Sequence, residues 1–108
     1  MTKYQEKLLE LANRTGLQVE ADKYELAKFY LKYNNYVIGF TNKAGLHLFN
    51  EVEIKHTNYD RKVIHFWGIG SYNYDNINLL IEKVLKLIGT YKNKVIELKL
   101  NTMGEDFE

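Results

Sequence analysis

The residues best placed by type to do chemistry are Gly68-Ile69-Gly70-Ser71, which end an apolar run and stand before an amphipathic one. A phosphate cradle needs backbone N–H groups converging at a helix N-terminus, glycines that admit the anion, and a nearby cation. Here a third glycine and a Gly-Lys-Ser/Thr step are lacking, and no basic residue lies between Lys62 and Lys83. The stretch also does not follow the first strand of a βαβ unit. The reading is a turn, in which Gly68 and Gly70 relieve crowding beside Trp67 while Ser71, Asn73 and Asp75 compete to cap the next helix.

His47, His56 and His65 recur every nine residues on separate predicted strands. With Glu51 or Glu53 they could supply nitrogen and oxygen metal ligands. Strand parity opposes this, because His47 shares a face with Glu51 and Glu53 whereas His56 shares one with Leu48 and Ile54. Ser71 is the only serine, with no nucleophile-elbow pattern around it, and a cap is the simpler role. No carboxylate pair stands out as acid and base. The chain is therefore read as non-catalytic, with no cofactor and no metal.

Lys28-Phe29-Tyr30-Leu31-Lys32-Tyr33-Asn34-Asn35-Tyr36 suggests a surface instead. As a strand it turns Phe29, Leu31 and Tyr33 inward and presents Lys28, Tyr30 and Lys32. Ammonium and phenol groups so placed can hold phosphates and stack bases, or anchor a protein through large, rigid tyrosine contacts. The expected partner-binding set is Lys28, Tyr30, Lys32 and Tyr36, together with Trp67, Tyr72 and Tyr74.

Composition frames these options. Fifteen basic side chains against fourteen acidic ones leave a net charge of +1, so any polyanion site must be local. Nucleic acid is the less favoured partner. Cysteine is absent, which excludes disulfides and thiolate chemistry. Nothing reaches the roughly 20 apolar residues that span a bilayer, and the N-terminus does not read as a signal peptide, so a cytoplasmic protein is expected. Eleven Asn, nine Tyr and a thirteen-to-two excess of Lys over Arg favour A- and T-rich codons.

The elements that must position these residues follow from periodicity. Thr2 and Gln5 have capping-box spacing, Tyr4, Leu8, Leu11 and Ala12 recur at helical intervals above a solvated face of Gln5, Glu6, Glu10 and Asn13, and Gly16 can end the helix. A short strand is expected over Leu17 to Ala21. Residues 22–33 fit a helix or a strand, and the strand is preferred because Asn34-Asn35 reads as a tight hairpin into Tyr36-Val37-Ile38-Gly39-Phe40. After a turn at Asn42 to Gly45, Leu46, Leu48, Val52 and Ile54 alternate with polar residues, with a bulge expected near Asn50.

Asn58 to Arg61 turns into a strand from Lys62 to Ile69, which is apolar on both faces and so expected to be central or covered. Ile77, Leu80, Ile81, Val84, Leu85 and Ile88 mark a second helix capped by Asp75 and closed by Gly89. Ile96 to Leu100 alternates as a final strand.

The expectation is one α+β domain over residues 1–102, with a short acidic tail at 103–108. Its architecture would be a single antiparallel meander of four to six strands, an N-terminal helix, and a second helix before the last strand. Without proline the sheet edges lack one protector, so homodimerisation by edge pairing is possible. The functional expectation is a small module that binds another protein. By compositional analogy it resembles phage or mobile-element accessory proteins that inhibit host defence proteins by steric blocking. The alternative is a single-stranded nucleic-acid binder using the Lys/Tyr face.

Overall fold

The computed structural model describes residues 1–59 and 61–106, the last six as backbone only. Helix α1 (Lys3–Thr15) begins on a complete capping box between Thr2 and Gln5 and ends on Gly16 in the left-handed region at φ 73°. Both signals are local, and each satisfies backbone groups that a helix end leaves open.

Five strands follow: β1 (Gln18–Ala21), β2 (Phe29–Tyr33), β3 (Tyr36–Asn42), β4 (Gly45–His56) and β5 (Lys62–Ser71). They form one antiparallel sheet in the order β1-β2-β3-β4-β5. The β2–β3 hairpin turns on Asn34 and Asn35 at φ 47° and 68°, the positive angles a two-residue primed turn requires. The β3–β4 turn is held by Asn42, whose Oδ1 accepts from the N–H groups of Ala44 at 2.9 Å and Gly45 at 3.1 Å.

The bulge lies elsewhere than expected. Pairing of β4 with β5 is interrupted at Asn50, where the pair with Gly68 is skipped and Gly68 takes φ 75°, but no residue is inserted and the register is the same from His47↔Ser71 to His56↔Lys62. β2–β3 instead shifts between Leu31 and Lys32, leaving Ile38 as the extra residue on β3.

Helix α2 (Ile77–Asp106) follows the last strand and closes the described chain. The expected strand over Ile96–Leu100 is absent, and the second helix comes after all the strands rather than before the last of them. Gly89 does not stop the helix because it is exposed and a Cβ there would meet nothing within 4 Å, so its cost is confined to backbone entropy. Beyond it the inward stripe continues through Tyr91, Val95 and Leu98, which pack on the core. Five alternating residues were too few to override that period. Of the expected tail, residues 103–106 continue the helix, and Phe107 and Glu108 lie outside the described residues. Asp60, in the expected turn before β5, does too.

Both helices pack on one face of the sheet. Leu8 and Leu11 of α1 and Leu80, Val84, Leu87 and Ile88 of α2 share a cluster with Leu31, Ile38, Leu46, Leu48, Val52, Ile64 and Phe66. Truncating any of the fully enclosed leucines to alanine would cost about 2–5 kcal/mol. Gln5, expected in solvent, is buried, because its Nε2 donates to the Leu26 carbonyl at 2.6 Å while its other contacts close the cap. Among the described residues no helix is long and apolar enough to cross a membrane.

Two further expectations change at β5. Gly68 and Gly70 lie within the strand, and the chain turns only at residues 72–76. At Gly70 a Cβ would stand 2.7 Å from the Tyr72 hydroxyl oxygen, which folds back over the strand, so any side chain there would have to displace that phenol. The strand is also an edge, not a centre, since among the described residues it pairs with β4 alone. Asn76, not Asp75, caps α2, its Oδ1 accepting from the Leu79 N–H at 2.9 Å.

Candidate functional site

Because both helices cover the inner face, the outward side chains of the sheet meet no second layer among the described residues. By register the outer parity takes His47, Phe49, Glu51, Glu53 and Lys55 on β4 and, opposite them, Ser71, Ile69, Trp67, His65 and Val63 on β5; of these Phe49 is nonetheless packed against the core. Side chains directly opposite one another share a face. The buried residues Leu48, Val52, Ile64 and Phe66 take the other parity. Along the outer side of β5, Val63 is 40 %, Trp67 47 % and Ile69 57 % exposed.

The lysine and tyrosine set of β2 faces the same way but is engaged within the chain. Tyr30 donates its hydroxyl to Asp22 Oδ2 at 2.6 Å. Lys28 Nζ lies over the Tyr30 ring at 5.4 Å and the Phe40 ring at 5.5 Å, and Lys32 pairs with Glu20 at 2.9 Å. The Tyr30 hydroxyl and the backbone N–H groups of Tyr24 and Glu25 hold the Asp22 carboxyl down at about 2. The same hydrogen bond to Asp22 pushes the Tyr30 phenol up. Lys32, by hydrogen bond and by charge, lowers Glu20. Each cation or phenol that might greet a phosphate thus already has an acid or a ring beside it.

Tyr36 is not part of this face. It is paired with Tyr33, and its ring packs 5.3 Å from Phe66 and 5.4 Å from Tyr91, beneath α2. Tyr72 also leaves the outer face: its hydroxyl donates to Asn50 Oδ1, and Lys83 Nζ lies 5.0 Å above its ring. Tyr74 stands 94 % exposed in the turn before α2. Of the expected partner-binding residues, the structure therefore groups Lys28, Tyr30 and Lys32, places Trp67 on β5 of the same face, and separates Tyr36, Tyr72 and Tyr74.

Three features escaped the sequence reading. Val63 and Ile69 flank Trp67 on its own face, a signal present in the parity of β5. Residues 22–28 form a built loop, with Asp22 Oδ1 accepting from Tyr24 N–H at 2.8 Å and Glu25 N–H at 2.9 Å, and Asp22 N–H donating to the Lys28 carbonyl at 3.0 Å. It holds Tyr24 and Leu26 almost wholly in solvent beside an open cleft of about 750 Å³ that reaches Asn42 and Lys43. An aspartate two and three residues before the N–H groups it binds was the available signal.

The third is a relay. Ser71 Oγ lies 2.9 Å from His47 Nδ1, and His47 Nε2 lies 3.1 Å from Asn42 Oδ1. Asn42 Oδ1 accepts from two backbone N–H groups, so Nε2 carries the imidazole proton and Nδ1 accepts from the Ser71 hydroxyl. That tautomer is the one a general base needs, but the third member is a neutral amide, which does not stabilise an imidazolium as a carboxylate does. With Phe40 packed on the imidazole at 5.0 Å, the relay fastens the β3–β4 turn to the end of β5. Ser71 caps no helix, contrary to expectation. His56 and His65 lie further along the strands, and no group of three or more metal-ligating side chains occurs among the described residues.

Compared with known proteins, the chain matches no family model, no curated protein and no solved structure.

Proposed function

We propose that this chain is a non-catalytic protein-binding module whose partner, another protein, docks on the outer sheet face along β5. One observation carries the reading: Val63, Trp67 and Ile69 project from one side of an edge strand on the face that neither helix covers. Large aromatic anchors beside aliphatic neighbours are the side chains that dominate affinity when a partner excludes water around them. A face of this kind acts by occlusion, covering the partner's working surface without chemistry of its own. The A- and T-rich coding bias supports an accessory protein of a phage or mobile element as its bearer. The nucleic-acid alternative gains no support from the geometry, since Lys32 and Tyr30 are tied to Glu20 and Asp22.

The test compares tagged parent protein with Trp67→Ala in affinity capture from the native host. Trp67 is half exposed, so the variant should keep its fold by circular dichroism while the captured partner binds about 30-fold more weakly, the effect of a hot-spot residue. Undiminished capture by the variant would refute the assignment of the face. So would salt-sensitive retention of oligonucleotides with no protein captured.

A further inference from the structure

We infer that β5 is a homodimer edge: a second copy of the chain pairs with it antiparallel, across a two-fold axis near the middle of the strand, to make a continuous ten-stranded sheet. The inference concerns the edge hydrogen-bonding groups of β5, not the outer face, and stands whether or not another protein docks there.

The two edges of the sheet differ sharply. β1 is four residues long and presents Gln18 and Glu20, the latter paired with Lys32. A short, charged edge resists further pairing. β5 spans ten residues. From Val63 to Ser71 it carries no Lys, Arg, Asp, Glu or Pro, and its register against β4 runs without a shift. Among the described residues no strand lies on its outer side. An unpaired strand of this length, with apolar side chains on both faces, is a template for another strand.

What recommends a second copy over an unrelated strand is charge and symmetry. A two-fold axis sets the N-terminal end of one β5 against the C-terminal end of the other. Arg61 and Lys62 of each copy then lie near the uncharged Gly70 and Ser71 of the other, and no like charges meet. Val63 comes beside Ile69 of the second copy, and His65 beside its Trp67, so the two apolar strips merge into one. The apolarity of β5 on both faces, which reads as the mark of a central strand, is accounted for: in the dimer it is central.

The chain has no cysteine, which makes a single-cysteine scan clean. The full chain is measured by light scattering at high micromolar concentration. Variants with one cysteine at Val63, His65, Trp67, Ile69 or Ser71, all outward-facing, are then oxidised. The expected result is twice the chain mass, with covalent dimer yield highest at His65 or Trp67 and falling toward both ends, because only residues near the axis meet their own copy. Ile69→Lys, which replaces the Ile69–Val63 contact with an ammonium and sets it one step along the same face from Arg61 of the other copy, should weaken dimerisation about tenfold or more without unfolding the chain. A monomeric mass overturns the inference. A dimer whose crosslinking is flat along β5 or peaks at either end, or which Ile69→Lys leaves intact, overturns it as well. Loss of partner capture on Trp67→Ala in a monomeric chain would leave the docking face standing without the dimer.

Discussion

Gly45→Ala is expected to destabilise the protein by about 3–4 kcal/mol. Gly45 opens β4 at φ 152°, inside the region that side-chain-bearing residues avoid. The space a Cβ would take is filled by the Asn73 amide, whose Oδ1 accepts from the Leu46 N–H at 2.9 Å and whose Nδ2 donates to the Ala44 carbonyl at 3.0 Å. The substitution adds backbone strain of about 1–3 kcal/mol. It also displaces an amide making two hydrogen bonds, each with a net contribution of about 1 kcal/mol. Urea unfolding followed by circular dichroism measures the loss. Asn73→Ala, which removes the bonds without the strain, should cost about 1–2 kcal/mol, so the difference between the variants isolates the conformational part. A Gly45→Ala midpoint equal to the parent's would mean that the β3–β4 turn is not pinned in this way.

Tyr91→Ala should cost about 3 kcal/mol, in the range for removing a packed aromatic ring. The ring lies 5.5 Å from Tyr33, 5.4 Å from Tyr36 and 5.8 Å from Phe66, so it joins α2 to β2, β3 and β5 at once. Edge-on and offset contacts of this kind add to the area buried. Tyr91→Phe keeps the rings and should lose less than about 1 kcal/mol. The same denaturation experiment reads both. Because Tyr91 follows Gly89, this pair also reports on whether the helix continues past the glycine: were residues 96–100 a sixth strand, Tyr91 would sit in a connecting loop and its truncation would change stability by roughly half a kcal/mol or less.

Local rules carried most of the legible structure. The capping box at Thr2 and Gln5, the left-handed Gly16, and the paired positive angles at Asn34 and Asn35 are satisfied by residues within four positions of one another, so sequence spacing suffices to see them. The alternation of β4 is legible for a related reason, since a sheet covered on one face leaves a period of two. The length of α2 depends instead on what lies beneath it. Gly89 stops nothing because the space around it is open, and the stripe Ile88, Tyr91, Val95, Leu98 finds a hydrophobic surface to cover. The edge position of β5 is invisible to composition because burial and exposure of an apolar face look the same in sequence.

The site divides in the same manner. Parity placed Lys28, Tyr30 and Lys32 on one face, yet it gave no hint that Asp22 and Glu20 had already engaged them. Tyr36 was within reach of a stricter reading. A two-residue turn puts Tyr33 opposite Tyr36, and facing residues share a side, so an inward Tyr33 implies an inward Tyr36. The bulge at Ile38 then returns Phe40 to the outer face, which parity from Tyr36 alone would have missed. In the sequence Ile69 reads as the last apolar residue before a turn, because the glycines on either side of it look like punctuation. In the structure Gly70 makes room for Tyr72, Gly68 takes a positive φ of 75° beside Asn50 and Glu51, and Ile69 remains outside.

The most direct test of the open face uses the only tryptophan in the chain. Trp67 is 47 % exposed on the side opposite both helices, so its fluorescence in the native protein should be red-shifted and readily quenched by acrylamide, at a substantial fraction of the rate in the urea-unfolded chain. A blue-shifted emission that resists quenching in the native protein would place Trp67 in the interior, and the outer sheet surface along β5 would then not be free to receive a partner.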